Sequence, residues 1–203
     1  IIGGAKVSTK LLLLHNLIES FNTLIIGGAL ANTFLFAQGY NLGKSFVEKY
    51  LIKDAIDILD KSKKFKTKII LPIDLVCSNE INDSKNINIV DINNIESDQM
   101  VLDIGRNTIK LIEKFLQSSK IILWNGPLGV FEFDQFSEGT RAVCEAIAES
   151  NSFSVAGGGD TLAAIEKYGI SDDISYISTG GGAFLEFLGG KILPSIEMLQ
   201  KRA

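Results

Sequence analysis

The sequence has 203 residues, of which 46% are apolar and 22% charged, and its 20 basic and 24 acidic side chains give a formal net charge of −4. This composition is typical of a globular chain with one sizeable core, and it argues against a repeat array or a disordered tail. The acidic balance argues against general binding to nucleic acid or anionic membranes, because both need clustered Lys and Arg. No apolar stretch reaches the roughly 18 residues that a membrane-spanning helix needs.

Metal-thiolate and disulfide chemistry find little support in the sequence. Its two cysteines, Cys77 and Cys144, are far apart, and His15 is the single histidine. A structural zinc site needs about four such ligands, and a disulfide framework needs several cysteines. We therefore expect a reducing, cytoplasmic location. The chain begins Ile-Ile-Gly-Gly without methionine, so we also expect a processed or truncated product.

In chain order, short apolar runs alternate with longer amphipathic ones. The runs predict strands over residues 1–2, 24–26, 68–76, 121–124, 153–155 and 174–177. The amphipathic stretches predict helices over 9–20, 44–59, 107–117, 137–149 and 161–167, and a closing helix that begins at Pro194. Because parallel strands need long crossover connections, this alternation predicts an α/β fold with a doubly wound, mainly parallel six-stranded sheet flanked by helices, of the Rossmann-like type. Residues 78–99, rich in Asn, Asp and Ser, predict a small excursion of loops and a hairpin.

Glycines cluster where the predicted strands end. Twelve of the 19 glycines follow apolar runs, and they form five groups: 3–4, 27–28, 126 and 129, 157–159, and 180–182. The carboxyl ends of parallel strands share one edge of a sheet, so these groups predict a continuous rim of bare backbone. Helices that begin behind the rim present unpaired N–H groups, which favour phosphate. The sequence therefore predicts a polyphosphorylated ligand.

Four charged residues stand close to these glycines. Lys6 and Lys10 follow the first group and are one helical turn apart, so both can face one phosphate chain. Asp160 directly follows the glycines at 157–159 and has the chemistry of a magnesium ligand, while Glu132 has that of a ribose ligand. Their joint placement favours a nucleotide site over four unrelated surface charges.

Two common nucleotide motifs are absent from the sequence. Residues 39–45, GYNLGKS, resemble a P-loop, but three residues separate the two glycines where that motif has four. No G-x-G-x-x-G occurs in the chain, so a dinucleotide cofactor lacks its usual anchor.

Four motifs together are similar to the phosphoglycerate kinase family: GGAKVSTK at 3–10, WNGPLGVFE at 124–132, GGGDT at 157–161 and STGGGA at 178–183. The resemblance covers essentially the whole chain, but it corresponds only to the C-terminal, nucleotide-binding half of that bacterial-type enzyme. It implies that residues 1–203 form one domain and that an N-terminal substrate domain is absent.

This resemblance implies glycolytic phosphoryl transfer from 1,3-bisphosphoglycerate to Mg²⁺-ADP, giving 3-phosphoglycerate and Mg²⁺-ATP, in a cytoplasmic monomer. The residues that it assigns to catalysis are Lys6, Gly181 and Gly182. The residues that it assigns to ADP or ATP are Gly4, Ala5, Lys10, Gly27, Gly28, Gly105, Asn125, Pro127, Gly129, Val130, Glu132, Gly158, Gly159, Asp160 and Thr161, with Asp160 also at the metal. The acid substrate would bind through the absent domain, so the isolated chain is expected to bind nucleotide without turnover.

Three residues depart from the family pattern, namely Thr9, Ala29 and Arg106. None of them removes a lysine, the aspartate or the glycine rim. Three classes of function stay open: half of a phosphotransferase, a nucleotide-binding module without catalysis, and an enzyme of another doubly wound family. A binding-only relative would be expected to lose Lys6 or the glycines at 180–182, and both are present.

Overall fold

The computed structural model describes residues 1–82 and 87–202. Its strands are β1 Thr23–Ile25, β2 Lys68–Ile70, β3 Asp74–Ser78, β4 Asn88–Asp91, β5 Met100–Ile104, β6 Ile121–Trp124, β7 Phe153–Gly157 and β8 Tyr176–Ser178. Its α-helices are α1 Leu11–Ser20, α2 Gly28–Ala37, α3 Ile52–Phe65, α4 Arg106–Gln117, α5 Glu138–Ala148, α6 Gly159–Tyr168, α7 Gly182–Leu188 and α8 Pro194–Gln200. In the part of the chain that the structure describes, no helix has both the length and the apolar character needed to cross a bilayer.

The main sheet is parallel, and Ile2 lies at its centre. Strand β1 pairs with β2, and β6 pairs with β7, which pairs with β8, all in parallel. Ile2 forms parallel bridges to Ile26 on one side and to Asn125 on the other, so it joins the two groups of strands. The order across the sheet is therefore β2, β1, residues 1–2, β6, β7 and β8. The predicted α/β class with a doubly wound parallel sheet is confirmed.

Helices cover both faces of this sheet. Leu123 packs in one apolar cluster with residues of α1, α2 and α3, whereas its neighbours Ile122 and Trp124 pack in another with residues of α4, α5 and α6. Successive side chains of a strand point to opposite faces, so the two clusters are the two sides of the sheet.

Both cysteines are buried as free thiols, and burial raises the pKa of Cys77 to about 11 and that of Cys144 to about 12.

A second, antiparallel sheet was only partly predicted. Its order is β4, β3, β5, and β5 was not among the predicted strands. The predicted strand 68–76 is wrong as a single element, since β2 joins the parallel sheet and β3 the antiparallel one. Pro72 lies in the break, and it has no N–H to donate to a ladder. The described residues form eight strands, and residues 1–2 contribute isolated bridges rather than a strand, so the predicted count of six is not exact.

The excursion predicted over residues 78–99 contains β4, but β4 pairs with β3, most of which comes before that range, as part of the larger antiparallel sheet. The predicted alternation begins at residue 86, which lies outside the described residues, and β4 runs from Asn88 to Asp91.

Helices α2 and α7 were not among the helices predicted from periodicity, and α3 begins later than predicted. Helix α2 was missed because it is apolar nearly all round and so lacks the polar face that marks an amphipathic helix. The predicted helix 44–59 begins only at Ile52, after a 3₁₀ turn at Lys49–Leu51. Long-range hydrogen bonds hold the preceding segment in an irregular path, including one from Lys44 N–H to the Gln99 carbonyl oxygen at 2.7 Å.

Candidate nucleotide site

A cavity of about 200 Å³ lies at the carboxyl edge of the parallel sheet, with the antiparallel sheet as its second wall. The sequence predicted eight of its lining residues as nucleotide contacts: Gly4, Ala5, Gly28, Pro127, Gly129, Val130, Glu132 and Asp160. Nine lining residues were not in that prediction: Ala29, Asn32, Pro72, Leu75, Val101, Leu102, Asp103, Ile104 and Leu128. The missed residues come mostly from α2, β3 and β5, the elements that periodicity described least well.

Backbone packing forms the rim of this cavity. A Cβ on Gly28 would lie 2.6 Å from the Gly4 carbonyl oxygen, and φ is +65° there. Gly4 N–H donates to the Pro127 carbonyl oxygen at 2.9 Å, and Leu30 N–H donates to the Gly4 carbonyl oxygen at 2.8 Å. Glycine at position 28 therefore lets the start of α2 approach the backbone of Gly4 and Pro127 at distances that a side chain would prevent.

Lys10 lies across this rim. Its Nζ donates to the carbonyl oxygen of Gly3 at 2.6 Å and to that of Asn125 at 3.2 Å. Burial lowers the pKa of Lys10 to about 8, although the charge of Asp160 opposes that shift. An ammonium has three N–H donors, so one donor remains for an anion at the rim.

The loop that carries Lys6 is tied down by a glutamate from another segment. Lys6 itself is exposed, whereas Glu48 is only 3% exposed. The Glu48 carboxylate accepts hydrogen bonds from Ser8 N–H at 3.1 Å, from Ser8 Oγ at 2.6 Å and from Tyr50 Oη at 2.8 Å. Burial pushes the pKa of Glu48 upward, but these hydrogen bonds outweigh it and hold the pKa below its ordinary value. Glu48 was not identified from the sequence.

Asn125 and Thr161 connect strand ends and helix starts at the rim. Asn125 Nδ2 donates to the Gly157 carbonyl oxygen at 2.6 Å, and Gly126 N–H donates to Thr161 Oγ1 at 2.7 Å. Thr161 is fully buried, and its hydroxyl therefore holds the end of β6 against the first turn of α6.

Five further glycines of the prediction do not line the cavity and stand instead at helix starts. Gly27 and Gly158 precede α2 and α6, and Gly159 is the first residue of α6. Gly181 precedes α7 with φ +53°, and Gly182 is the first residue of that helix. Gly181 and Gly182 are exposed, and apart from the adjoining backbone no atom of the described residues lies within 4 Å of the point that a Cβ would occupy at either one.

Gly105 packs against the carboxylate of Asp74 and does not line the cavity. A Cβ at Gly105 would lie 2.5 Å from Asp74 Oδ2, and Gly105 is not one of the lining residues. Asp74 accepts from the N–H of Asn107 at 2.9 Å and from that of Thr108 at 2.7 Å. This aspartate therefore caps the start of α4, and Gly105 leaves the room that it needs.

Asp103 is a buried acid in the wall of the cavity. It is 1% exposed, and it accepts from Gly139 N–H at 2.8 Å and from Ile104 N–H at 2.9 Å. Burial raises the pKa of Asp103 to about 7 against the effect of these two donors, and the charge of Glu138 adds to the rise. A Cβ at Gly129 would overlap the carboxylate. An aspartate inside an apolar strand was the signal in the sequence that could have identified it.

The rim contains a carboxylate that could bind a magnesium ion together with the phosphates of a ligand. Asp160 is exposed at the first turn of α6 and lines the cavity. Among the described residues, no three His, Cys, Asp or Glu side chains cluster as a metal site. Mg²⁺ is commonly held by one or two carboxylates together with substrate phosphates and water, so a single aspartate fits that role.

Comparison with known proteins gives a consistent result. Residues 1–191 match the family model described as "Phosphoglycerate kinase". The phosphoglycerate kinases of Francisella tularensis subsp. tularensis (strain WY96-3418) and of Francisella philomiragia subsp. philomiragia are each 52% identical over 203 residues, which is all of this chain and 52% of theirs.

Solved structures agree with the sequence relatives. Phosphoglycerate kinase from Coxiella burnetii matches with a TM-score of 0.98 and 45% identity, over 100% of this chain and 52% of that one. The enzyme from Pyrococcus horikoshii OT3 matches with a TM-score of 0.82 and 36% identity, over 98% of this chain and 50% of that one. The chain thus spans about half the length of the relatives it matches, and it belongs to the phosphoglycerate kinase family.

Proposed function

We propose that this chain is the nucleotide-binding half of a phosphoglycerate kinase, which transfers a phosphoryl group between 1,3-bisphosphoglycerate and Mg²⁺-ADP. One observation carries the proposal: a largely apolar cavity opens onto a glycine rim beside Lys10 and Asp160. An apolar cavity suits a nucleobase, while backbone N–H groups and an ammonium suit phosphates. Glu132 lines the same cavity, and its carboxylate is the group that we assign to the ribose hydroxyls.

The roles proposed for the residues at the transferred phosphoryl group follow from its negative charge. Lys6 is exposed and its loop is held by Glu48, so its ammonium can accompany the phosphoryl group. The N–H groups of Gly181 and Gly182 lie at the start of α7, where helical N–H groups have no partner within the helix. Such donors stabilise charge that develops on the phosphoryl oxygens, and no covalent intermediate on the protein is needed.

Magnesium, when bound, would neutralise phosphate charge, and Asp160 is the residue proposed to hold it. Asp160→Ala should therefore weaken the binding of Mg²⁺-ADP more than that of metal-free ADP. Equal losses for the two ligands would instead make Asp160 a structural residue.

The acid substrate has no evident site on this chain. The sequence contains only Arg106, Arg141 and Arg202, and Arg141 pairs with Glu138 at 2.6 Å and with Glu145 at 3.0 Å. Without a second site the two reactants are not held in line, and orientation supplies roughly 7–11 kcal/mol of a bimolecular barrier. We therefore propose that the isolated chain binds nucleotide but turns over no phosphoglycerate.

Titration calorimetry with Mg²⁺-ADP tests the binding function directly, and no heat of binding at millimolar nucleotide would contradict it. A coupled assay on the purified chain, free of contaminating kinase, tests the proposal that the isolated chain turns over no phosphoglycerate. Turnover near that of a full-length family member would show that an acid-substrate site is present after all. Activity restored by adding the other half of a family member in trans would favour the phosphotransferase over a module that only binds nucleotide.

A further inference from the structure

Helix α2 carries a buried polar side chain that the proposed mechanism does not use. Asn32 is 1% exposed, and its Nδ2 donates to the Phe46 carbonyl oxygen at 3.3 Å. Its Oδ1 is buried and has no hydrogen-bond partner among the described residues. More than about nine in ten buried polar groups in proteins are paired, and an unpaired acceptor is costly, so this atom needs an explanation.

The position of Asn32 supplies one. Within residues 1–82 and 87–202, three buried side-chain oxygens lack a partner: Asn32 Oδ1, Gln99 Oε1 and Asn125 Oδ1. Only Asn32 among these three residues lines the cavity at the sheet edge. Asn32 is one turn along α2 from Gly28, which lines the same cavity, so both lie on one face of the helix.

The neighbouring groups indicate which ligand chemistry fits. Leu75, Val101 and Val130 line the cavity and offer apolar surface to an aromatic ring. Asp103 is another buried acceptor in the wall, and both of its oxygens already accept backbone N–H groups. Asn32 is therefore the lining residue whose side chain has a buried acceptor without a hydrogen-bond donor, and a ring with an exocyclic amine can supply that donor.

We propose that Asn32 determines base specificity, with its Oδ1 accepting a hydrogen bond from the exocyclic amine of a purine such as adenine. This inference rests on the proposed nucleotide site and names the feature of the base that the site reads. A ligand without the amine leaves the acceptor unpaired in the complex, so discrimination follows from the cost of an unmet hydrogen bond.

The test compares ADP with the 5′-diphosphate of purine riboside, which lacks only the amine, as magnesium complexes in titration calorimetry. We expect the analogue to bind the unchanged chain about ten-fold more weakly. Equal affinities for the two ligands would overturn the inference while leaving the proposed function intact. Absence of binding by both would contradict the proposed function and this inference together.

Substitutions at Asn32 test whether this residue causes the preference for ADP over the analogue. Asn32→Leu and the smaller Asn32→Ala should bind ADP and the analogue with nearly equal affinity, because neither presents the acceptor. Gln99→Leu is the matched control, since it also removes a buried unpaired oxygen but from a residue outside the cavity lining. It should keep the ten-fold preference for ADP. A preference that persists in a folded Asn32 variant would overturn the assignment, and the comparison on the unchanged chain holds even if both variants fail to fold.

Discussion

Burial changes the acid–base chemistry of Lys10, and this makes the proposed phosphate site sensitive to pH. Two carbonyl oxygens hold its Nζ, and burial lowers its pKa to about 8. The folded chain consequently binds fewer protons than the unfolded chain between about pH 8 and the ordinary lysine pKa of 10.5. The contribution of Lys10 to folding stability should thus rise with pH across that interval, while its attraction for phosphate should fall.

The first prediction concerns nucleotide affinity between about pH 7.5 and 9.5. We expect the Kd for Mg²⁺-ADP to rise above about pH 8, by up to ten-fold per pH unit, because the ammonium must be charged to hold phosphate. Calorimetry at several pH values measures it. Lys10→Arg stays charged throughout and should give a flat profile, so an unchanged slope in that variant would mean that another group titrates.

Gly3 shows how closely backbone segments approach at the rim. A Cβ there would overlap the Pro127 carbonyl oxygen and lie 2.6 Å from that of Gly126, and neither atom can move independently of the backbone. We predict that Gly3→Ala lowers the free energy of unfolding by about 3 kcal/mol.

Gly159 offers the matched control, because apart from its own helix and chain neighbours no atom of the described residues lies within 4 Å of its Cβ position. Gly159→Ala should be neutral or stabilising by up to about 1 kcal/mol, since it is a helical glycine with room for a methyl group. Urea denaturation measures both variants, and equal effects would contradict the packing argument.

At the scale of elements, the fold joins segments that are distant in sequence around the Lys6 loop. Glu48 lies in the irregular stretch before α3, and its N–H donates to Thr33 Oγ1 of α2 at 3.1 Å. Its carboxylate reaches back to Ser8, which is 40 residues away in sequence. Glu48 therefore connects helix α2 to the loop that carries Lys6 through hydrogen bonds to both.

We predict that Glu48→Ala costs about 2–3 kcal/mol of unfolding free energy, because it leaves Ser8 N–H and Oγ without their acceptor. Ser8→Ala should cost about 1 kcal/mol, and the double variant should cost less than the sum. A double-mutant cycle in urea measures the coupling. Strictly additive losses would contradict a direct Ser8–Glu48 interaction in solution.

On the scale of the whole molecule, the cavity links the two sheets into one unit. Its walls include Gly4 and Pro127 at the edge of the parallel sheet and Leu75 and Leu102 of the antiparallel sheet. Ile104 of β5 also packs in the same apolar cluster as Trp124 of β6. A ligand in the cavity should therefore stabilise both sheets together.

Hydrogen exchange tests this linkage. We predict that Mg²⁺-ADP at about 100 times its Kd stabilises the chain by about 2.7 kcal/mol, and that amides of β5 and β6 gain equal protection. Protection confined to the parallel sheet would mean that the antiparallel sheet opens independently.

Fluorescence of Trp124, the single tryptophan, should follow the same thermal transition as far-UV circular dichroism.

Local patterns in the sequence were enough to determine the α/β class and the glycine rim. Apolar runs followed by glycine predicted strand ends, and the carboxyl ends of parallel strands share one edge whatever the detailed packing. For this reason Gly4, Gly28 and Gly129 could be placed at one site without a structure. Asp160 was found the same way, because it follows a glycine group directly.

Only the tertiary structure decided the second wall of the cavity and the chemistry inside it. Periodicity reports the exposed face of a single element, and it says little about buried elements such as α2 and β5, whose two sides are both largely apolar. The environments of Asp103, Asn32 and Lys10 depend on partners 14 to 115 residues away, namely Gly139, Phe46 and Asn125. Burial and pairing of these groups follow from long-range packing, which no short stretch of sequence encodes.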